Sequence, residues 1–426
     1  MNTPTSHAKT IVQKYGGSSV ADVDKIRAVA LLVKARRDQG HRVCVVVSAM
    51  GKTTDQLLAM AGQMAKAPPR RELDMLLTTG ERASAALMAM ALHDVGVDAI
   101  SFTGSQAGII TNATHAGARV LEVRPYRVQD ELDKGTVVVL AGFQGVSYSR
   151  EITTLGRGGS DTTAVALAAA LDADCEIYSD VDGVFTSDPR VVPEATRIEA
   201  LTHEEMQELA AAGAKVLNAQ AVQFAKARGI AIFALQTGLP NGANGAGTVI
   251  RKDAPPPVGG VRGVAHKNVL HRLVSNDLAQ LPAMLDFLAT HHLPAGPITA
   301  NAAGTSALEQ RFKAHDPRVE ILVPPEDAHG FARICALHLN EGARYWDGDD
   351  VGAVSLVGQG ILDDPRILAD SLRLLATEGV DVVGVSTSSF RITFLVPADP
   401  EGAGSVGAVA RLLHRRFVKA ERQEPA

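Results

Sequence analysis

The sequence has few cysteines, no long apolar run and no excess of charge of one sign. Cys44, Cys175 and Cys335 are isolated and odd in number, which argues against a disulfide framework and predicts reduced thiols in the cytoplasm. No uncharged apolar segment approaches the roughly 20 residues of a membrane span, and the start of the chain lacks the apolar stretch of a signal peptide. With 42 basic and 47 acidic residues, the chain carries no electrostatic footprint for nucleic acid. We therefore expect a cytoplasmic protein that binds neither membranes nor nucleic acids.

Most of the chain alternates between strand-like and helical segments. At 426 residues it is too long for one simple core, so two or three domains are expected. Helical spacing runs over 22–39 and over 72–95, where 78–81 interrupts it. The strand-like segments lie at 10–13, 43–49, 98–103, 136–141, 175–179 and 230–236. This alternation predicts a mainly parallel sheet covered by helices, with ligands at the carboxyl ends of its strands, where Lys14, Ser48 and Gly142 lie.

The proline run 255–257 and the glycine pair 259–260 together predict a linker. The order of strand-like and helical segments changes after it. Beyond it, the order strand–helix–strand–strand–helix occurs twice, which indicates an internal duplication. We predict a domain over 1–252, a linker over 253–260 and two α+β units over 261–345 and 346–426, which can exchange strands.

The glycine pair Gly16-Gly17 follows a short strand that ends in Lys14-Tyr15. Glycines between a strand and a helix let backbone N–H groups approach an anion closely. Lys14 adds a charge, and the hydroxyl of Ser18 adds a donor, as the β- and γ-phosphates of a nucleotide require. It is not a Walker loop, in which the lysine follows the glycines. An ordinary strand–turn–helix joint with a solvated lysine fits this segment equally well.

Two further segments combine glycine with charge. Arg157 lies among three glycines before a helix of small residues, and could hold a carboxylate with both arms of its guanidinium. Asp161 at the start of that helix could be only a cap. The segment 178–190, with its aspartates and Arg190, could face Mg²⁺ and phosphate, or could be a polar turn with capping aspartates. No His or Cys cluster has the spacing of a zinc site.

Taken together, these motifs resemble those of the aspartate kinases in the amino-acid-kinase superfamily. The resemblance covers residues 11 to about 251 and depends on seven ordered segments: 14–19, 48–55, 78–82, 141–145, 155–163, 179–190 and 213–217. The end of the chain is similar to the paired ACT domains of that family, above all at 354–358 and 385–388.

The resemblance implies an α/β fold with a three-layer, mainly parallel sheet, followed by two ferredoxin-like ACT domains. It implies ATP-dependent phosphorylation of the side-chain carboxylate of L-aspartate to 4-phospho-L-aspartate, the first step towards lysine, threonine and methionine. ATP and Mg²⁺ would be required, and a homodimer or higher homo-oligomer would form through the ACT domains. Mg²⁺ would be held largely by the nucleotide and water, so we assign no metal ligand to the protein.

By the same resemblance, Lys14 and Asp161 are the catalytic pair, with Asp161 orienting Lys14. Arg157 would clamp the α-carboxylate of the substrate and Glu81 would pair with its ammonium group. Ser48, Thr54 and Ser160 would line that pocket. The nucleotide would contact Lys14, Gly16, Gly17, Ser18, Ser179, Asp180, Phe185, Arg190 and Lys215.

The chain departs from the family pattern at several positions. Asn218-Ala219 replaces His-Pro, for which we expect only a local effect. The Pro-Gly turns of the ACT effector sites are Pro282-Ala283 and Pro365-Arg366 here, and Ser389 replaces a glutamate. These changes predict a kinase poorly inhibited by lysine or threonine. A kinase for glutamate or N-acetylglutamate, or a non-catalytic amino-acid sensor, are the alternative interpretations.

Overall fold

The computed structural model describes residues 9–66, 68–156, 158–214, 216–238, 247–291, 293, 295–300, 319–325, 328, 331–339, 345–398 and 404–418. The chain divides into two compact units. The first comprises Met1–Thr186 and Ala195–Pro256, and the second comprises Ser187–Glu194 and Pro257–Ala426. Our finer division into a kinase domain, a linker and two ACT units stays a prediction.

The described part of the first unit contains twelve strands and seven helices. The strands are β1 (Thr10–Tyr15), β2 (Arg42–Val47), β3 (Ala99–Phe102), β4 (Ile109–Thr111), β5 (Val120–Val123), β6 (Val137–Ala141), β7 (Gln144–Ser147), β8 (Ile152–Thr154), β9 (Asp174–Ser179), β10 (Ala200–Thr202), β11 (Ile232–Gln236) and β12 (Thr248–Arg251). The helices are α1 (Val23–Asp38), α2 (Thr53–Met64), α3 (Arg70–Asp94), α4 (Tyr126–Asp133), α5 (Gly159–Leu171), α6 (His203–Ala211) and α7 (Ala219–Arg228).

Eight of these strands form one sheet in the order β10-β12-β11-β9-β1-β2-β6-β3. All neighbours are parallel except β11 and β12, which confirms the predicted mainly parallel sheet. The five neighbours β11, β9, β1, β2 and β6 run in the same direction, so their carboxyl ends meet at one edge. Ligands of such folds bind at this edge.

Helices cover both faces of the sheet. Apolar side chains of α1 and α3 form a core with Tyr15 and with alternate residues of β2 and β6. Side chains alternate along a strand, so Lys14 faces the other side, where α5 packs on β1. The residues of α5 from Gly159 to Ala168 are all buried, and most of them are small. This lets the helix lie close to the strands.

The α3 helix is continuous over its 25 residues, so the predicted interruption at 78–81 is wrong. Gly80 causes no break because its missing side chain serves packing. A Cβ built there would lie 2.9 Å from the Cβ of Ala49. The second sheet of this unit, β5-β4-β7-β8, did not emerge from the sequence, because its strands are only three or four residues long.

The second unit contains six described strands and four described helices. The strands are β13 (Gly263–Ser275), β14 (Ile298–Ala300), β15 (Val319–Val323), β16 (Trp346–Val357), β17 (Gly384–Ser388) and β18 (Arg391–Pro397), and the helices are α8 (Leu281–Thr290), α9 (Phe331–His338), α10 (Arg366–Thr377) and α11 (Val406–Phe417). The strands form one antiparallel sheet in the order β14-β15-β13-β16-β18-β17. A sheet of this kind fits the predicted ACT-like α+β architecture. None of the helices in the described ranges is both long and apolar enough to cross a membrane.

Candidate active site

An ion pair between Lys14 and Asp161 lies at the carboxyl edge of the large sheet. Lys14 is the fifth residue of β1, and Asp161 lies in the first turn of α5. Their Nζ and Oδ1 atoms are 2.7 Å apart, and the two side chains are only 13% and 11% exposed. The N-terminus of a helix favours a negative charge, so α5 stabilises the carboxylate that holds the lysine. The predicted catalytic pair is therefore assembled in the structure.

The glycine pair after β1 makes two close approaches. A Cβ on Gly16 would lie 3.4 Å from Lys14 Nζ, and a Cβ on Gly17 would lie 2.9 Å from the carbonyl oxygen of Ala49. Gly17 also accepts a hydrogen bond from Gly51 N at 3.1 Å. The first glycine thus leaves space beside the lysine, and the second lets the loop after β2 pack against the turn.

Ser48 and Ser160 belong to the neighbouring strand ends. Ser48 is half-buried, and its N–H extends the strand ladder to the carbonyl of Tyr15 at 3.1 Å. Ser160 is buried in the first turn of α5. It lies so close to Gly142, at the end of β6, that a Cβ on the glycine would be 2.8 Å from Ser160 Oγ. Thr54 is half-buried in the first turn of α2.

Glu81 is a buried carboxylate in the first unit, beside the loop that follows β2. The residue is 3% exposed in the middle of α3, and Oε1 accepts a hydrogen bond from Ala49 N at 3.2 Å. Oε2 has no hydrogen-bond partner among the described residues. Burial raises the pKa of Glu81 to about 7, because water no longer stabilises its charge. A buried carboxylate of this kind is suited to a cationic group of a ligand.

Residues predicted to contact a nucleotide lie around the ends of β1 and β9. Ser18 is exposed, and its carbonyl accepts a hydrogen bond from Lys25 Nζ at 2.9 Å. The hydroxyl of Ser179 bonds to the backbone of Val181. Asp180 is exposed and Phe185 is half-buried. Ser179 and Asp180 thus lie at the end of β9, the strand that pairs with β1.

Thr237 is a site residue that our sequence analysis missed. It directly follows β11, and its N–H donates to the carbonyl of Ser179 at 2.9 Å. Its Oγ1 lies 2.7 Å from the hydroxyl of buried Ser19, so it joins the glycine turn to the end of β11. Thr237 could have been predicted from its position, because it directly follows a strand that is parallel to β9.

Three predicted residues are not placed in this site. Arg157 and Lys215 lie outside the described residues. Arg190 falls in the segment that groups with the second unit, where its guanidinium pairs with Asp188 at 2.7 Å. Their assignments stay predictions.

The substitution of His-Pro by Asn218-Ala219 has a visible structural effect. Asn218 is the N-cap of α7, and its Oδ1 accepts hydrogen bonds from Gln220 N at 2.9 Å and Ala221 N at 3.3 Å. A side-chain cap therefore stabilises the helix start that a proline otherwise pre-organises.

The described residues contain no preformed metal-binding site. Among them, no group of three or more His, Cys, Asp or Glu side chains is positioned to hold a metal. Asp161, the carboxylate beside the glycine turn, is already paired with Lys14.

Comparison with known proteins agrees with this geometry. Residues 9–234 match the amino acid kinase family. The chain is 43% identical over 418 residues to an aspartokinase of Mycolicibacterium smegmatis, covering 96% of each chain. It is 44% identical over 397 residues to an aspartokinase of Mycobacterium tuberculosis, covering 90% of this chain and 91% of the relative. Its fold superposes on E. coli aspartokinase III in complex with aspartate and ADP with a TM-score of 0.78 at 23% identity, over 96% of this chain and 100% of that one.

At 23% identity, the E. coli structure supports the fold alone. The two mycobacterial relatives are more than 40% identical to this chain, and each alignment covers at least 90% of it. The chain therefore belongs to the amino acid kinase family and, within it, to the aspartokinases.

Proposed function

We propose that this protein transfers the γ-phosphoryl group of ATP to the side-chain carboxylate of L-aspartate and forms 4-phospho-L-aspartate. The observation that carries the proposal is the buried Oε2 of Glu81, which has no hydrogen-bond partner among the described residues, in a site that also contains the Lys14–Asp161 pair. One part suits the ammonium group of an amino acid, and the other suits the phosphates of a nucleotide. The complex of E. coli aspartokinase III contains both kinds of ligand.

The reaction requires little covalent work from the protein. The side-chain carboxylate of aspartate has an ordinary pKa near 3.9 and is already ionised at neutral pH, so no general base is needed. Phosphoryl transfer mainly requires positioning and neutralisation of charge. Lys14 neutralises charge on the transferring group, and Asp161 keeps the lysine in place. The N–H groups of Gly16 and Gly17, with Ser18, bind the phosphate oxygens.

Mg²⁺ is part of this proposal as a partner of the nucleotide. Phosphate oxygens and water would hold most of its coordination shell, and the bound ion would neutralise charge on the β- and γ-phosphates. Ser179, Asp180 and Phe185 would lie around the nucleotide, together with Arg190 and Lys215. The substrate side of the site would comprise Ser48, Thr54, Ser160 and Arg157 beside Glu81.

Trapping the product with hydroxylamine tests the proposal. An acyl phosphate reacts with hydroxylamine to give a hydroxamate, which forms a coloured complex with added ferric iron. The purified chain with ATP and Mg²⁺ should therefore produce colour with aspartate and none without ATP. Glutamate and N-acetylglutamate should give much less. N-acetylglutamate has no ammonium group to pair with Glu81, so efficient turnover of it would refute the assignment. A chain that binds nucleotide but traps nothing with any acid would be a sensor rather than a kinase.

Arg157→Ala should mainly weaken aspartate binding. The guanidinium is proposed to hold the α-carboxylate, which does not react, so its loss should raise the aspartate KM about tenfold and change kcat much less. Steady-state kinetics at saturating ATP measure both quantities. An unchanged aspartate KM would show that Arg157 is not the clamp.

Lysine and threonine should inhibit this enzyme poorly. In the altered turns of the second unit, Arg366 N donates to Asp364 Oδ1 at 3.0 Å and Ala279 N donates to Asp277 Oδ1 at 3.0 Å. These two N–H groups are thus bonded to side chains of their own turns. In the effector sites of the family, the corresponding N–H groups bind an amino acid instead. Sub-millimolar lysine or threonine should leave most of the activity, at both low and saturating aspartate. Strong inhibition in that range would contradict the prediction.

The proposal includes a homodimer formed through the ACT-like unit. The edge strand β17 pairs on one side only in the described sheet, and Val383 and Val385 beside and within it are largely exposed. Measuring the molar mass in solution by light scattering tests this, since a monomer at micromolar concentration would exclude it.

A further inference from the structure

Asp74 is a buried acid that the proposed mechanism does not use. It lies in α3, two turns before Glu81, and is fully inaccessible to solvent. Its Oδ1 accepts hydrogen bonds from Thr154 Oγ1 at 2.6 Å and Ala116 N at 3.1 Å, and its Oδ2 lies 2.7 Å from His115 Nδ1. A buried carboxylate is costly unless it is fully bonded. These contacts satisfy Asp74 and tie two other segments to α3.

The two segments, the end of β8 and the loop that carries His115, both lie next to Gly156. Thr154 ends β8 two residues earlier, and its carbonyl accepts a hydrogen bond from Ala118 N at 2.8 Å. A Cβ on Gly156 would lie 3.6 Å from Gly117 Cα, so the loop carrying His115 packs against this glycine. Ala116 has a φ of 61°, which is uncommon for a residue with a side chain. Its bond to Asp74 helps to hold that conformation.

The same helix therefore anchors two parts of the site. Asp74 and Glu81 are seven residues apart, which places them on nearly the same side of α3 and about 10 Å apart along its axis. Glu81 presents the oxygen that has no partner among the described residues, and Asp74 fixes the end of β8, which leads to Gly156. Because α3 is one continuous helix, the distance between these two parts is set by a rigid element.

We propose that Asp74 is a positioning residue that sets the affinity for the amino-acid substrate. It does so by fixing the end of β8 relative to Glu81. This inference rests on the proposed function, in which Glu81 and the start of α5 both contact the bound aspartate. Misplacing a binding group by about 1 Å is enough to weaken binding or catalysis strongly. The glycine turn after β1 has no bond to Asp74, so the nucleotide side should be unaffected.

Thr154→Val tests this proposal with little change of shape. It removes one hydroxyl bonded to Asp74, and the aspartate KM should rise about tenfold, the size expected for a hydrogen bond to a charged group. The ATP KM and kcat should stay within about twofold, and Thr154→Ser, which keeps the hydroxyl, should restore the aspartate KM. The half-buried His115 offers a second variant that the fold should tolerate. His115→Ala should raise the aspartate KM by a smaller factor, about threefold.

Thr153→Val is the matched control. Thr153 is the preceding residue of the same strand and is equally buried, but its hydroxyl lies 2.6 Å from Thr111 Oγ1 and does not contact Asp74. It should lose stability to a similar extent and keep the aspartate KM within about twofold.

Two outcomes separate this inference from the proposed function. If the wild-type chain forms the hydroxamate but Thr154→Val and His115→Ala raise the aspartate KM no more than Thr153→Val does, the positioning role is overturned and the kinase assignment stands. If the wild-type chain traps no acyl phosphate, the proposed function is overturned and this inference with it.

Discussion

Lys14→Ala should lower kcat at least about a thousandfold, because it removes the positive charge that we propose to lie beside the transferring phosphoryl group. The effect should be mainly on kcat, since this charge is needed most when negative charge moves during transfer. Saturating ATP and aspartate in the hydroxamate assay give kcat directly. Lys14→Arg keeps a charge but changes its shape and reach, so it should recover only part of the activity.

The control for Lys14→Ala is Lys9→Ala. Lys9 immediately precedes the same strand and also pairs with an aspartate, Asp174, at 3.4 Å, but its side chain is 65% exposed at the opposite end of β1. Its removal should leave kcat unchanged and cost little stability. Lys14→Ala leaves Asp161 buried without its partner, so its thermal unfolding must be measured as well. A folded Lys14→Ala protein with near-normal kcat would contradict the proposed role.

Glu81→Gln should raise the aspartate KM by about a hundredfold, because an amide cannot balance the charge of a buried ammonium group. The ATP KM should change much less. Glu205→Gln is the matched control. Glu205 is also fully buried, but its carboxylate belongs to the capping box at the start of α6, so this variant should keep the aspartate KM. An aspartate KM unaffected by Glu81→Gln would place the ammonium group elsewhere.

The raised pKa of Glu81, about 7, also predicts how substrate affinity depends on pH. Binding an ammonium group requires the carboxylate, which is protonated below this pKa in the free enzyme. The aspartate KM should therefore rise about tenfold from pH 8 to pH 6, whereas the aspartate carboxyl does not titrate in this range. Glu81→Gln should lose this dependence, which separates it from titration of the nucleotide.

The raised pKa of Glu81 also predicts how the stability of the Glu81→Gln variant compares with that of the wild type. Between the unfolded pKa near 4.5 and the folded pKa of about 7, the native state binds more protons than the unfolded state, so stability falls as the pH rises. Above pH 7 the native state bears the full cost of the buried charge, about 3 kcal/mol. Glu81→Gln should therefore melt at a higher temperature than the wild type at pH 8, and this advantage should shrink below pH 5. A lower melting temperature at pH 8 would contradict it.

Features built from adjacent residues were predictable from the sequence. The apolar residues before Lys14 and the pair Gly16-Gly17 predict a strand followed by a turn, and the apolar run of β2 predicts a buried strand. Parallel strand ends meet at one edge, so the strand-like segments alone are enough to place Ser48 and Gly142 at the same edge as Lys14. Neither result needs knowledge of distant contacts.

Features that depend on distant contacts were not predictable in this way. The segment that contains Gly80 predicts a break in α3, yet this glycine is the place where the helix touches Ala49. Glu81 became a candidate only through family resemblance, since nothing in its neighbourhood marks a glutamate within a helix as functional. Asp74 gave no signal, because its partners are 41 to 80 residues away in the chain.

The sequence by itself determined which chemical groups are present, in what order, and which of them follow strands, because these depend on local periodicity and turn residues. Only the tertiary structure decided which groups meet and in what electrostatic state. It paired Lys14 with Asp161, residues that lie far apart in the sequence. It also buried Glu81 with one oxygen that no described residue bonds, since desolvation is a property of the packed interior and not of any stretch of chain.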